Sequence, residues 1–393
     1  MASLRARIHE HRLAEGKDVP WWGVRGGERS SSEGIVMAAG GRYLPLGIAA
    51  IRQLARVGCD LPVLVVHSGA EEMPEGARAR LLELGADVVD AASALRAPPD
   101  ELRGWQLKAV AVALSPFRHT LLIDADVIFL RDPARAVFRD PSYVRTGAVF
   151  WPDIVAHGDQ YGRNLLLPEF WDALGLPSKL RPGPDALQQE ASCVAVDKVR
   201  HERPLRLALA LNLAHRDTYA LAFGDKDTWH ASFRACAAPF SWCGVRPGSV
   251  GMPLRAAEGT ALKDMHFLQY APGTPALDGG SAAATLVRGV PKHAVVAPAG
   301  QRDCANSALY VQGSAAKAGV PEGSVWVPAS QWIPVGALTM TVRPDARWGW
   351  SVPDEWRPLF AQHRDDTARE RRLLGEGSVT EDSLHGRGEN KRP

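Results

Sequence analysis

No stretch of the chain is apolar over the length a membrane span needs, and the opening residues, Met1 to His11, are charged and lack the apolar core of a signal peptide. Cysteine is scarce. Cys59, Cys193, Cys236, Cys243 and Cys304 are odd in number, widely spread and in no metal-ligand spacing, which points to a reducing compartment. Neither sign of charge is in excess, with 46 basic against 44 acidic residues, so there is no electrostatic case for a nucleic-acid or membrane-surface partner. There is no internal repeat and no Gly-x-Gly-x-x-Gly fingerprint. These absences predict a soluble, cytoplasmic protein.

What is present is globular. An apolar fraction of 46% and a charged fraction of 23% are average, and 393 residues hold one large α/β domain with additions, or two ordinary domains. Residues 1–33 are polar, an N-terminal extension with Trp21 and Trp22 as its apolar anchor. Gly34–Ala38 then reads as a strand. Leu44, Ile48, Ile51 and Leu54 follow at helical spacing, with Pro45 in the first turn and Gly58 past the end. Residues 61–66 read as a buried strand, 75–84 as a helix, 87–90 as a strand, and Leu107, Val110, Ala111 and Leu114 mark another helical face. Alternating strands and helices predict a mostly parallel, helix-covered sheet, with ligands beyond the carboxyl ends of its strands. Later, residues 192–196 and 265–270 read as strands, 202–215 as a helix, and 275–350 as β-rich and loop-rich. After about 365 a charge run predicts a disordered tail.

The chain is organised around residues 120–133, where an apolar run meets Asp124 and Asp126, then a second apolar run. In a strand, residues two apart point to one side, so both acids can converge at a strand end. Two carboxylates so close repel unless a cation or proton lies between them. Magnesium and manganese take such oxygen ligands and complete their shells with phosphates, so a metal–diphosphate site is the first reading. The plain alternative is that carboxylates end strands and cap the next element without any ligand.

Other candidates carry similar pairs of readings. Lys108 flanks the apolar stripe of the helix before the acid strand, and could neutralise a diphosphate or only snorkel to solvent. Gly40, Gly41 and Tyr43, just after Ala38, stand at a strand-to-helix turn. There, backbone donors can approach a ligand and an aromatic ring can stack on a base, although a plain tight turn fits too. Asp225 and Asp227 flank Lys226 at a helix start; capping explains one acid, but two acids and a lysine exceed it. His266 lies on a short apolar strand, as a core residue or a third metal ligand. His157, His215 and His293 lie in loops or helices with no acid pair nearby.

These pieces fit three chemistries. A metal-dependent glycosyltransferase uses all of them. A haloacid-dehalogenase-type phosphatase would make Asp124 the nucleophile and Asp126 the acid, but its nucleophile strand normally opens the fold, whereas here three strand–helix units precede it. A sugar nucleotidyltransferase is echoed by residues 38–46, with too short a glycine loop.

Residues 105–109 (Trp-Gln-Leu-Lys-Ala), 114–117, the Leu-Ile-Asp124-Ala-Asp126-Val run, Asp132-Pro133, Thr146 to Asp153, Glu190 to Ser192 and Phe223 to Trp229 occur in one order. Together they resemble the fungal-type α-1,3-mannosyltransferase family over about residues 34–270. The resemblance implies an α/β GT-A (Rossmann-like) fold, a mixed sheet flanked by helices, at 34–274; beyond it, and outside the resemblance, a β/loop-rich C-terminal extension is expected at 275–364, a candidate acceptor region, followed by the tail at 365–393. It implies a retaining enzyme with a GDP- or UDP-sugar donor, an unidentified acceptor and a Mn2+ or Mg2+ ion. By motif, Asp124, Asp126 and His266 would hold the metal. Ala38, Gly40, Gly41, Tyr43, Lys108, Asp124 and Ala125 would line the donor. Asp225, Asp227 and Glu190 would be the catalytic groups. The membrane anchor of the family's secretory members has no counterpart in the sequence.

Overall fold

The computed structural model describes residues 33–156, 166–183, 186–245, 247–256, 259–272, 308–312, 325–327, 332–334, 340–342, 350–351 and 353–375, with the backbone alone at 154–156, 251–266, 308 and 325–351. The N-terminal extension expected at 1–33 therefore lies, but for Glu33, outside the described residues, as do His157 and His293.

The strands β1 (Glu33–Ala38), β2 (Val63–His67), β3 (Asp87–Asp90) and β4 (His119–Ile123) are parallel and alternate with helices α1 (Leu44–Arg56), α2 (Glu75–Glu83), α3 (Ala91–Leu95) and α4 (Gln106–Leu114). Their apolar runs are nearly continuous because both faces of the sheet are covered. Ile35, Met37, Leu121 and Ile123 face one core beneath α1; Val36 and Leu122 face a second core beneath α4. After a two-residue strand β5 (Ile128–Phe129) and helix α5 (Pro141–Thr146), the chain reverses. Strand β6 (Ala148–Ala156) pairs antiparallel with β7 (Leu187–Asp197), β7 pairs antiparallel with β4, and β8 (Ser241–Trp242) closes the edge parallel to β6. The order β3-β2-β1-β4-β7-β6-β8 is the mixed, helix-flanked sheet of the GT-A fold. Helices α6 (Pro168–Ala173), α7 (Glu202–Leu213) and α8 (Lys226–Ala235) lie on the α4 side. Among the described residues, no helix is long and apolar enough to cross a membrane.

A second sheet corrects the expected boundary at 274. Strands β9 (Gly248–Ala256) and β10 (Gly259–Tyr270) form its centre, and β11 (Ala308–Gln312), β12 (Val325–Val327), β13 (Trp332–Pro334), β14 (Met340–Val342) and β15 (Trp350–Ser351) complete it. Strand β11 pairs with both β10 and β5, immediately after the acid pair, and Leu309, Tyr310 and Val311 are buried in the core beneath α1. Residues 309–311 thus share the core of the first domain.

The tail is corrected as well. Helix α9 (Arg357–Leu373) runs through the position where disorder was expected, with Trp356 and Phe360 in the same core; residues 376–393 lie outside the described residues. Its charge run is paired: Glu370 is fully buried between Arg52 of α1 and Arg80 of α2, at 3.2 and 3.1 Å, and Asp366 meets Arg56.

Candidate active site

Strand β4 delivers Asp124 to the carboxyl end of the parallel strands. The strand stops at Ile123, and Val127 N–H bonds back to the Asp124 carbonyl at 3.3 Å, so Asp126 sits in a turn. The two acids are therefore held in a turn, not in the strand alternation expected for them. Both side chains are partly exposed. Ala125 between them is buried and packs towards Gly47 of α1, so only its backbone is available to a ligand.

Helix α4 carries Lys108 to the same point. Its ammonium lies 2.7 and 2.9 Å from the two carboxylate oxygens of Asp124, 3.6 Å from Asp225 and 3.3 Å from the Ala191 carbonyl. Burial opposes the charge, but Asp124, Asp225 and Glu190 outweigh it and hold Lys108 protonated well above the ordinary lysine range. Asp225, at the start of α8, also accepts from Trp229 Nε1 at 3.1 Å. Burial, reinforced by Asp124, raises its carboxyl against the pull of Lys108.

Glu190 lies between this lysine and a second one. It accepts from Ser192 N–H at 2.8 Å, and burial, with Asp153 and Asp124 adding to it, pushes its carboxyl up to about 8 despite Lys108 and Lys226. Lys226 donates to Asp153 of β6 at 2.7 Å. Three aspartates (Asp124, Asp153, Asp225) and Glu190 thus accompany two lysines, Lys108 and Lys226. Even with Glu190 neutral, negative charge is left over. That surplus, borne on oxygen, fits a hard divalent ion whose other ligands are diphosphate oxygens and water. Among the described residues, no group of three or more His, Cys, Asp and Glu side chains forms a metal cage. His266 lies on β10 opposite Val250, and its side chain is outside the described set.

Asp227 is placed elsewhere. It is fully buried and accepts from Gln189 N–H at 3.0 Å, and it pairs with His230 Nε2 at 3.1 Å. Arg234 Nε donates to His230 Nδ1 at 3.2 Å, so the proton sits on Nε2 and His230 donates to Asp227. Burial lowers the imidazole pKa against the pull of Asp227, which keeps the ring neutral. His230 N–H in turn donates to Gln189 Oε1 at 3.0 Å. This carboxylate pins α8 to the β7 segment that carries Glu190.

The turn after β1 forms as expected. Ala39 N–H bonds Val66 O, Gly41 takes φ +50°, and Tyr43, 36% exposed, lies under the Arg42 guanidinium. Gly40 abuts Glu72, which shares Arg103 with Glu71. Ala38 and Gly40 lie at the end of β1, next to β4, while no described contact joins Tyr43 to the Lys108 cluster. Two participants were not singled out from the sequence. Asp153 was visible only as the end of the 146–153 run that shares in the resemblance, and Tyr310, whose hydroxyl pairs with Ser192 at 3.1 Å, came from a stretch with only weak alternation.

Residues 32–161 match the Mannosyl_trans3 family model, which describes mannosyltransferases. An α-1,2-mannosyltransferase of Candida albicans, MNN22, is 27% identical over 256 residues, covering 52% of this chain and 41% of that protein. MNN21 of the same organism is 28% identical over 252 residues, covering 51% and 37%. An α-1,3-mannosyltransferase of Saccharomyces cerevisiae, MNN1, is 24% identical over 272 residues, covering 56% and 35%. The chain therefore spans about two fifths of the length of the curated relatives it matches. Among solved structures, the bifunctional glycosyltransferase WbbM aligns with a TM-score of 0.39 at 15% identity, covering 52% of this chain and 37% of that one. Core-mannan synthase A of Aspergillus fumigatus aligns with 0.38 at 11%, covering 59% and 77%.

Proposed function

We propose that the chain is a glycosyltransferase, mannosyltransferase-like, that moves a hexose from a nucleoside-diphosphate sugar to an acceptor hydroxyl with retention of configuration. The observation that carries this reading is the position of Lys108, one buried ammonium bridging the acid at the end of β4 and the acid at the start of α8. Relatives named as mannosyltransferases, with α-1,2 and α-1,3 linkages both among them, support the class of sugar but leave the linkage open. Lys108 and the backbone around Ala38, Gly40 and Ala125 would hold the diphosphate and nucleoside, and Tyr43 would face the base. A Mn2+ or Mg2+ ion on Asp124 and Asp126, with His266 as a further ligand, would supply positive charge to the departing diphosphate. Asp225 would orient the donor hexose. Glu190, held neutral at pH 7 by burial, would lie at the reacting carbon and keep a hydrogen-bonding proton there. A reducing, cytoplasmic setting belongs to the same reading, supported by the few, widely spread cysteines of the sequence.

The test is a thermal-shift panel of UDP-, GDP-, ADP- and TDP-sugars with and without manganese. A donor at a hundred times its dissociation constant should add about 2.7 kcal/mol of stability. Asp124→Asn and Asp126→Asn should each abolish that gain and sugar transfer while the unliganded fold survives. Near-normal transfer by either variant in chelator would refute the metal role. A phosphorylated Asp124 formed from a phosphate ester would instead establish the phosphatase chemistry.

A further inference from the structure

Trp105, the residue before α4, stays 42% exposed although folded chains bury most of an indole. Its ring is nevertheless fixed on several sides. Gly224 lies beneath it, so close that a Cβ there would come within 2.8 Å of Cε3 and 2.9 Å of Cδ2; the φ of +71° at Gly224 is also one that other side chains rarely adopt. Phe223 and Tyr219 brace its edge at centroid distances of 5.3 and 6.0 Å, tilted by 47° and 67°. The platform continues into the charge cluster. Lys108 N–H bonds the Trp105 carbonyl at 3.1 Å, and Asp225 follows Gly224 directly.

We propose that the exposed face of Trp105 is an acceptor subsite that stacks against the apolar C–H face of a pyranose ring; this rests on the glycosyltransferase reading above. An aromatic face carries negative charge density and attracts polarised C–H groups, and a rigid ring loses little entropy on contact. The order of contacts assigns the occupant. Asp124 and Lys108 mark the diphosphate, Asp225, 3.6 Å from Lys108, marks the donor hexose, and Gly224, the residue before Asp225, lies beneath Trp105. The group beyond the donor hexose is the acceptor. A nucleobase is the other flat group that could stack on an indole, but the exposed ring of Tyr43, after β1, already offers that surface.

The experiment uses the full chain with manganese and GDP or UDP, and titrates methyl α-D-mannopyranoside, methyl α-D-glucopyranoside and α-linked mannobiose by calorimetry. Trp105→Ala should weaken the bound pyranoside by about tenfold or more, while Trp105→Phe stays within about threefold of the parent. Nucleotide affinity should hold within about twofold in both variants, which also reports that they are folded. Unchanged pyranoside binding by Trp105→Ala overturns the subsite, and so does a parent protein that binds none of the three. Loss of nucleotide affinity in place of pyranoside affinity overturns it too and hands Trp105 to the base. A parent that binds no nucleoside diphosphate refutes the glycosyltransferase reading itself, a result separable from the others.

Discussion

Replacing Lys108 with methionine removes the one cation that Asp124 and Asp225 share. The Lys108 side chain is 13% exposed and those of the acids 22% and 4%, so solvent screens the contacts only partly. Removing one partner of a buried pair costs about 3–5 kcal/mol, because a charge is left without its counterion. The partial exposure of Asp124 puts the expected loss near the lower end, about 3 kcal/mol at pH 7.5. Its pH dependence has a definite sign. Burial already raises the Asp225 carboxyl and Lys108 opposes the rise, so the variant raises it further. Between the ordinary carboxylate range and that raised value, the folded variant holds a proton that the unfolded chain has released. Acid therefore stabilises the variant relative to the parent, and the loss should shrink from pH 7.5 to pH 5. Urea unfolding at both pH values, with m unchanged, measures it. A companion Asp225→Asn in the Lys108→Met background should recover part of the loss, since the two changes share one contact. A loss below about 1 kcal/mol, or one that grows in acid, would mean that Lys108 behaves as a surface ion pair and that the buried bridge is misread.

Glu190→Gln copies the protonated acid. Since the folded carboxyl is raised to about 8, parental stability falls as pH climbs from the ordinary carboxylate value through 8, and the variant should be more stable by about 5 kcal/mol at pH 9 yet matched at pH 4; equal stability at pH 9 would refute the burial of that acid. Lys198 donates to the Val112 and Ser115 carbonyls at the end of α4, and burial lowers it to about 7. The folded state then binds fewer protons than the unfolded one above pH 7, so the parent should gain about 1.4 kcal/mol per pH unit over Lys198→Met between pH 7.5 and 9.5, measured by urea unfolding. Glu370→Gln removes the buried charge that Arg52 and Arg80 share and should cost about 3 kcal/mol and expose α9 to limited proteolysis; a resistant α9 would show that Trp356 and Phe360 alone hold it.

How much of this was legible depended on whether local period or distant pairing decided the outcome. The parallel half was open to reading, because strands covered on both faces, such as residues 34–38 and 63–67, are almost wholly apolar, and α1 shows a clear apolar stripe. The second sheet was not, since its pairings join residues 128–129 to 308–312 across a long separation that no local pattern encodes. Helix α9 escaped for a different reason. The buried positions within it are Phe360, His363, Thr367 and Glu370, so its inner face is mostly polar and is held by arginines from other helices, which leaves hydrophobic periodicity nothing to detect.

The two acid pairs make the limit sharpest. Asp124 and Asp126, and again Asp225 and Asp227, share the same spacing of two, and spacing alone gave both pairs a common target. Backbone shape separates them. At 3.6 residues per turn, positions two apart on a helix point about 200° away from each other. Asp225 therefore turns to Lys108, while Asp227 turns to Gln189 and His230 on the opposite side. The pair after β4 follows neither pattern, because a turn, with neither strand nor helix geometry, closes over residues 124–127. If Asp227 only holds α8 against β7, its influence reaches the reacting centre through the placement of Glu190, the residue that follows its backbone partner Gln189. Asp225 and Asp227 then have unequal chemistry despite their symmetry in the sequence.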